Sequence, residues 1–165
     1  MTVLPDVLES DLKVVFCGTA VGPTSARVGA YYAGPGNQFW EVLFRTGLTP
    51  RRLRPDEYTT LPSHGIGLTD LAKKQSGTDD QVDASEFDVD GLRAKVRRFA
   101  PKALAFNGKK AGSAFYGRSV ALGRQPESVG DTAVFVLPST SGAARGYWDE
   151  SRWRELAEFV KSHVV

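Results

Sequence analysis

The chain has 165 residues, a formal net charge of +2, and 41% hydrophobic against 24% charged residues. That is the balance of a single soluble globular domain with a sizeable core, one that tolerates an acidic partner without demanding it. Its one cysteine, Cys17, excludes an internal disulfide and a cysteine-held iron–sulfur cluster, while His64 and His163 lack zinc-ligand spacing and no apolar run approaches a membrane span.

Residues 1–12 read as a mixed-charge leader, loosely packed, ahead of a domain over 13–165. The first strand covers residues 13–17, where the apolar run Val14-Val15-Phe16-Cys17 ends in Gly18-Thr19-Ala20-Val21-Gly22 and the polar turn Pro23-Thr24-Ser25. Ala30-Tyr31-Tyr32-Ala33-Gly34-Pro35-Gly36-Asn37 is too rich in Gly and Pro for regular structure. Of its two tyrosines, Tyr31 reads as a plug against the core and Tyr32 as a face for a flat ligand. Asn37 can cap a helix through Phe39, Trp40, Val42, Leu43 and Phe44, closed by Gly47. Arg51, Arg52 and Arg54 either hold phosphates or form a solvated loop face.

The second strand is Ile66-Gly67-Leu68-Thr69-Asp70, followed by a polar loop over Lys73–Asp80. A helix after Asp88–Asp90 places Leu92, Val96 and Phe99 on one face, and Pro101 marks its exit. Ala103-Leu104-Ala105-Phe106 is the third strand, turning at Asn107-Gly108-Lys109 into a helix through Ala111, Ala114, Phe115 and Tyr116. Gly117 to Gly130 reads as irregular. The fourth strand, Ala133–Leu137, runs into Pro138-Ser139-Thr140-Ser141-Gly142-Ala143-Ala144-Arg145-Gly146-Tyr147-Trp148. A last helix, capped by Asp149 or Ser151, buries Trp153, Leu156, Phe159 and Val160.

Strands alternating with helices predict an α/β fold, a three-layer α/β/α sandwich around a four-stranded parallel sheet. In such sheets ligands bind beyond the carboxyl ends of the strands, here Thr19, Asp70, Asn107 and Ser139. Four polar ends with Tyr32 as a stacking face suit a flat, hydrogen-bonding ligand such as a nucleobase. Neither a phosphate-binding lysine loop nor a dinucleotide fingerprint is present.

Five segments, in order, carry a resemblance: Val14-Val15-Phe16-Cys17-Gly18; Gly34-Pro35-Gly36-Asn37-Gln38-Phe39-Trp40; Gly65-Ile66-Gly67-Leu68-Thr69-Asp70-Leu71; Phe106-Asn107-Gly108-Lys109; and Val136-Leu137-Pro138-Ser139-Thr140-Ser141-Gly142. Together they resemble the mismatch-specific uracil/thymine DNA glycosylases of the uracil-DNA glycosylase superfamily, over nearly everything from residue 12 onward. The resemblance implies a monomeric DNA-repair enzyme without metal or cofactor, cytoplasmic or nucleoid-associated in a bacterium. Such an enzyme flips uracil out of single- or double-stranded DNA and hydrolyses its N-glycosidic bond.

It also implies roles for particular residues. Tyr32 falls on the aromatic that stacks on uracil, with Thr19, Ala20 and Asn107 around the base. Ser139, Ser141, Gly142, Ala143 and Arg145 fall on the loop that grips DNA. Two positions depart from the pattern. The family's first motif reads Gly-Ile-Asn-Pro-Gly, with an asparagine that positions the attacking water, and Ala20 stands at that asparagine. A methyl group can neither orient nor deprotonate water. Ala143 stands where the family inserts a bulky or cationic side chain into the duplex, with Arg145 or Tyr147 nearby to fill the gap. Asp70 is then the expected catalytic residue, either accepting from uracil N3–H or activating water, or else a cap for the loop that follows it. The alternatives are a non-catalytic reader of uracil-containing or damaged DNA, and a glycosylase for another deaminated base such as hypoxanthine.

Overall fold

The computed structural model describes residues 2–163; the first residue of the expected leader and the last two of the expected domain lie outside the described residues. Strand β1 (Val14–Val21) is an inner strand, with the edge strand β2 (Ile66–Ser76) on one side and β3 (Ala103–Asn107) on the other. Beyond β3 lie β5 (Ala133–Leu137) and the two-residue edge strand β4 (Gly123–Arg124), giving the order β2-β1-β3-β5-β4. The first four of these are mutually parallel, and β4 pairs antiparallel with β5. The sheet therefore has five strands rather than the expected four. The extra one comes from the stretch read as irregular, because two residues carry no detectable period.

Both faces of the sheet are buried, which is why its strands read as continuous apolar runs. Side chains alternate across β1: Val14 and Phe16 face one core with Phe39, Trp40, Trp153 and Leu156, whereas Val15 and Cys17 face another with Leu92, Val96, Ala111 and Phe115. The first core takes helices α2 (Phe39–Arg45) and α5 (Glu150–Ser162), the second α3 (Val89–Phe99) and α4 (Lys109–Tyr116). Burying each large apolar side chain contributes about 1.5–3 kcal/mol, so both faces hold the sheet rigid under the cleft. Caps agree with local chemistry: Asp88 accepts from the Gly91 N–H, and Asp149, one of the two expected candidates, from the Ser151 N–H. Asn37 accepts from the Phe39 N–H at 3.0 Å, one position ahead of the helix cap at Gln38.

Several segments differ from the sequence reading. Strand β1 runs on to Val21, past the end expected at residue 17, so Thr19 lies within it. A six-residue helix, α1 (Pro23–Val28), occupies the turn after β1. Strand β2 runs on to Ser76, through residues expected as loop, because the Lys73 ammonium finds buried acceptors. The N-terminal segment is packed rather than loose: Val7 and Leu68 exchange antiparallel backbone hydrogen bonds at 2.9 Å, and Leu4, Val7 and Leu12 are buried. The close approach explains Gly67, where a Cβ would lie 2.6 Å from the Val7 carbonyl oxygen. Among the described residues no helix is long and apolar enough to cross a membrane.

Candidate active site

Beyond the carboxyl ends of β1, β2, β3 and β5 lies a cleft of about 490 Å³, lined at its floor by Thr19, Ala20, Asp70, Asn107 and Ser139. It sits where the strand order reverses, the connection from β1 leading to β2 on one side and that from β2 crossing back to β3 on the other, which is where open α/β sheets separate their loops. Two indoles hold the flanking loops: Trp40 Nε1 donates to the Tyr31 carbonyl and Trp153 Nε1 to the Pro138 carbonyl, both at 3.1 Å. Each buried N–H is thereby satisfied, and the tyrosine loop and the loop after β5 become fixed walls.

Asp70 is the buried carboxylate of this cleft, 5% exposed. Its Oδ2 accepts from Lys73 Nζ at 3.2 Å, while its Oδ1 lies over Gly18, 3.4 Å from where a Cβ would stand. Glycine at 18 leaves that side of the carboxylate clear of any side chain. Burial pushes the Asp70 carboxyl above the usual carboxylate range, and the Lys73 charge offsets this without overcoming it.

Tyr32 lines the same cleft, its ring stacked on Phe39 with centroids 4.0 Å apart. Its hydroxyl is buried without a hydrogen-bond partner and lies 3.5 Å from the same point over Gly18. Its backbone sits at φ 53°, a left-handed conformation that costs a non-glycine residue of order 1–3 kcal/mol. An unpaired donor and a strained backbone at one residue are what a ligand-facing position looks like. Burial, with Asp70 close by, holds the Tyr32 phenol well above its ordinary value, so it stays a donor. Tyr31 does plug the core: it is 2% exposed, and its hydroxyl donates to the Pro5 carbonyl at 3.0 Å.

Asn107 is clamped to the loop after β5. Its amide oxygen accepts from the Thr140 N–H at 3.0 Å and its Nδ2 donates to Thr140 Oγ1 at 2.9 Å. One amide hydrogen remains available to a ligand. The Thr19 hydroxyl is engaged too, donating at 2.6 Å to Asp79 Oδ1, on the loop after β2 that forms a further wall. Ser139 Oγ accepts from the Ser141 N–H and Ser141 Oγ from the Ala143 N–H, each at 3.2 Å, so the loop is folded by its own hydroxyls. Gly142 and Ala143 line the cleft, and Tyr147 stands at its edge, 84% exposed. Arg145 alone of the expected residues does not line it; its guanidinium is exposed and donates to the Gly36 carbonyl at 3.4 Å.

The arginine run lies outside the cleft lining, with Arg51 and Arg54 paired to Glu57 and Arg54 also to Asp56. This is the solvated-face reading rather than a phosphate site. Sequence reasoning missed Lys73, Asp6 and Thr140. Thr140 sat unremarked inside a segment already singled out; Asp6 is tied to the site by contacts 63 residues apart in sequence.

Residues 5–161 match the family described as the Uracil DNA glycosylase superfamily. The chain belongs to that superfamily. The fold is also similar to the solution NMR structure of a candidate uracil DNA glycosylase from Methanosarcina acetivorans, with a TM-score of 0.65, 25% sequence identity and 96% of each chain covered. Membership of the uracil DNA glycosylase superfamily supports DNA binding, glycosylase chemistry and a part in DNA repair for the chain. It also agrees with the cleft's build, since a flat base entering it would meet an aromatic face, a phenol, an amide and a carboxylate.

Proposed function

We propose that the protein is a uracil-DNA glycosylase of the mismatch-specific kind, in which Asp70 takes the part left open by Ala20. The observation that carries this reading is the Asp70 carboxylate, buried at the floor of the cleft with one oxygen held by Lys73 and the other over Gly18. Extruding a nucleotide costs a few kcal/mol, least at a mismatch or in a single strand. The flipped base takes hydrogen bonds from the Tyr32 hydroxyl and the remaining Asn107 amide hydrogen. As the C1′–N1 bond breaks, its electron pair leaves on the base and positive charge gathers on the sugar. An ionised Asp70 stabilises that charge and accepts a proton from the water whose oxygen bonds to C1′. The proton passes to the departing base, and the products are free uracil and an abasic site.

The loop over Ser139–Ser141, with Gly142 and Ala143, is read as the phosphate grip, and Arg145 adds a charge-assisted contact. Tyr147, large and exposed at the cleft edge, is the side chain able to fill the gap left by a base, which Ala143 is too small to do. A non-catalytic reader of uracil-containing DNA is favoured by one observation, the Ala20 methyl at the cleft floor. Incubation with a labelled uracil oligonucleotide followed by alkaline cleavage separates the two. Strand breaks at uracil support the glycosylase, and binding without breaks supports the reader. Hypoxanthine and thymine mispairs run in parallel show whether another deaminated base is preferred.

A further inference from the structure

The N-terminal segment has no part in the chemistry described so far, yet it ends in a dense set of contacts behind the cleft. Asp6 Oδ1 accepts from the Thr69 hydroxyl at 2.7 Å and from Lys73 Nζ at 2.9 Å, and its Oδ2 pairs with Lys95 Nζ of α3 at 2.7 Å. Lys73 Nζ also reaches Asp70 Oδ2 at 3.2 Å and the Tyr31 hydroxyl at 3.0 Å. An ammonium has three donors, and here each has its own acceptor. The Tyr31 hydroxyl passes its own hydrogen to the Pro5 carbonyl, and the Val3 N–H donates to the Lys73 carbonyl at 2.8 Å. Two carboxylates therefore share one half-buried cation, and one of them faces the cleft.

We infer that Asp6 is a positioning residue for the Asp70 carboxylate, acting through Lys73: it competes for the ammonium that Asp70 also holds and fixes how far that cation is committed to the cleft. The N-terminal segment is thus a working part of the site and not merely an added edge. This rests on the reading that ionised Asp70 drives base excision. The charged and titratable groups around Asp70 are Lys73 on its own strand, Asp6 from the N-terminal segment, Tyr31 and Tyr32 from the loop, and Cys17 from β1. Burial raises Asp70 first; among its neighbours Lys73 favours the ionised form and Asp6 disfavours it. Activity that needs the carboxylate rises with pH as Asp70 ionises, so the acid limb of the rate profile reports this balance.

The test is the pH profile of uracil excision by the full chain under single turnover, with a melting curve for every variant. Asp6→Asn frees Lys73 for Asp70 and keeps an acceptor for Thr69, so the acid limb moves down by about 0.5–1 pH unit. Lys73→Met removes the cation, and the limb moves up by about 1 unit or more. A merely structural latch would lower stability in both variants without shifting the limb in opposite directions. Limbs that stay at the wild-type position, or move the same way, overturn the proposal, provided Asp70→Asn is inactive. An Asp70→Asn variant with wild-type activity overturns the underlying reading of Asp70 instead. Should Lys73→Met not fold, Asp6→Asn decides alone: a downward shift supports the proposal and an unmoved limb overturns it.

Discussion

Tyr32→Phe separates the demands of the fold from those of the site. The hydroxyl is buried without a partner, whereas the ring keeps its stack on Phe39 whether or not the oxygen is present. An unsatisfied buried polar group costs about 1–3 kcal/mol. Deleting it should raise stability by about 1 kcal/mol at the low end of that range, or about 2–4 °C in melting temperature for a domain of this size. The backbone strain at φ 53° stays, since phenylalanine fits that conformation no better. The same change removes a donor from the base pocket. A neutral hydrogen bond is worth about 0.5–1.5 kcal/mol, so single-turnover excision should fall by about threefold to tenfold. Melting curves and excision time courses on one preparation read both effects. A variant that melts lower than the parent by a similar margin, or that excises at the parental rate, refutes the reasoning.

Two further outcomes follow from particular contacts. Gly67→Ala places a Cβ 2.6 Å from the Val7 carbonyl and 2.7 Å from Leu12 Cδ1, and a backbone oxygen cannot rotate away. We predict a loss of about 1–3 kcal/mol in urea denaturation, accompanied by a shifted acid limb as Asp6 is displaced; full stability would mean that the segment yields freely. Arg145→Ala should weaken DNA binding and lower the slope of log affinity against log salt by about one, as measured by fluorescence anisotropy. An unchanged slope removes Arg145 from the phosphate grip.

What could be read from the sequence follows the physics of burial. The cores of β1, β2, β3 and β5 were legible because strands covered on both faces must be apolar throughout, and the polar residues Asn107 and Ser139 mark the ends of β3 and β5, whereas Thr19 and Asp70 line the cleft from inside β1 and β2, which run on past them. The two residues of β4 carry no pattern. The extension of β2 to Ser76 was hidden because Lys73-Lys74-Gln75-Ser76 has the composition of a loop. Lys73 is held in the strand by the Asp6 and Asp70 carboxylates and the Tyr31 hydroxyl, and the nearness of Asp6 depends on an antiparallel pairing between Val7 and Leu68. The same limit applies inside the site. Residue type suggested Tyr32 and Asp70, but neither the unpartnered phenol nor the shared ammonium is a property of local sequence. Arg145 shows the converse, a cation in a promising loop whose guanidinium turns toward Gly36.

The most direct test of the account is single-turnover excision of uracil from a labelled oligonucleotide by the parent chain and by Asp70→Asn. The substitution keeps the size of the side chain and removes its charge. The parent should cleave and the variant should be slower by about 100-fold or more, while both bind uracil-containing DNA with similar affinity. Equal rates for the two proteins would contradict it.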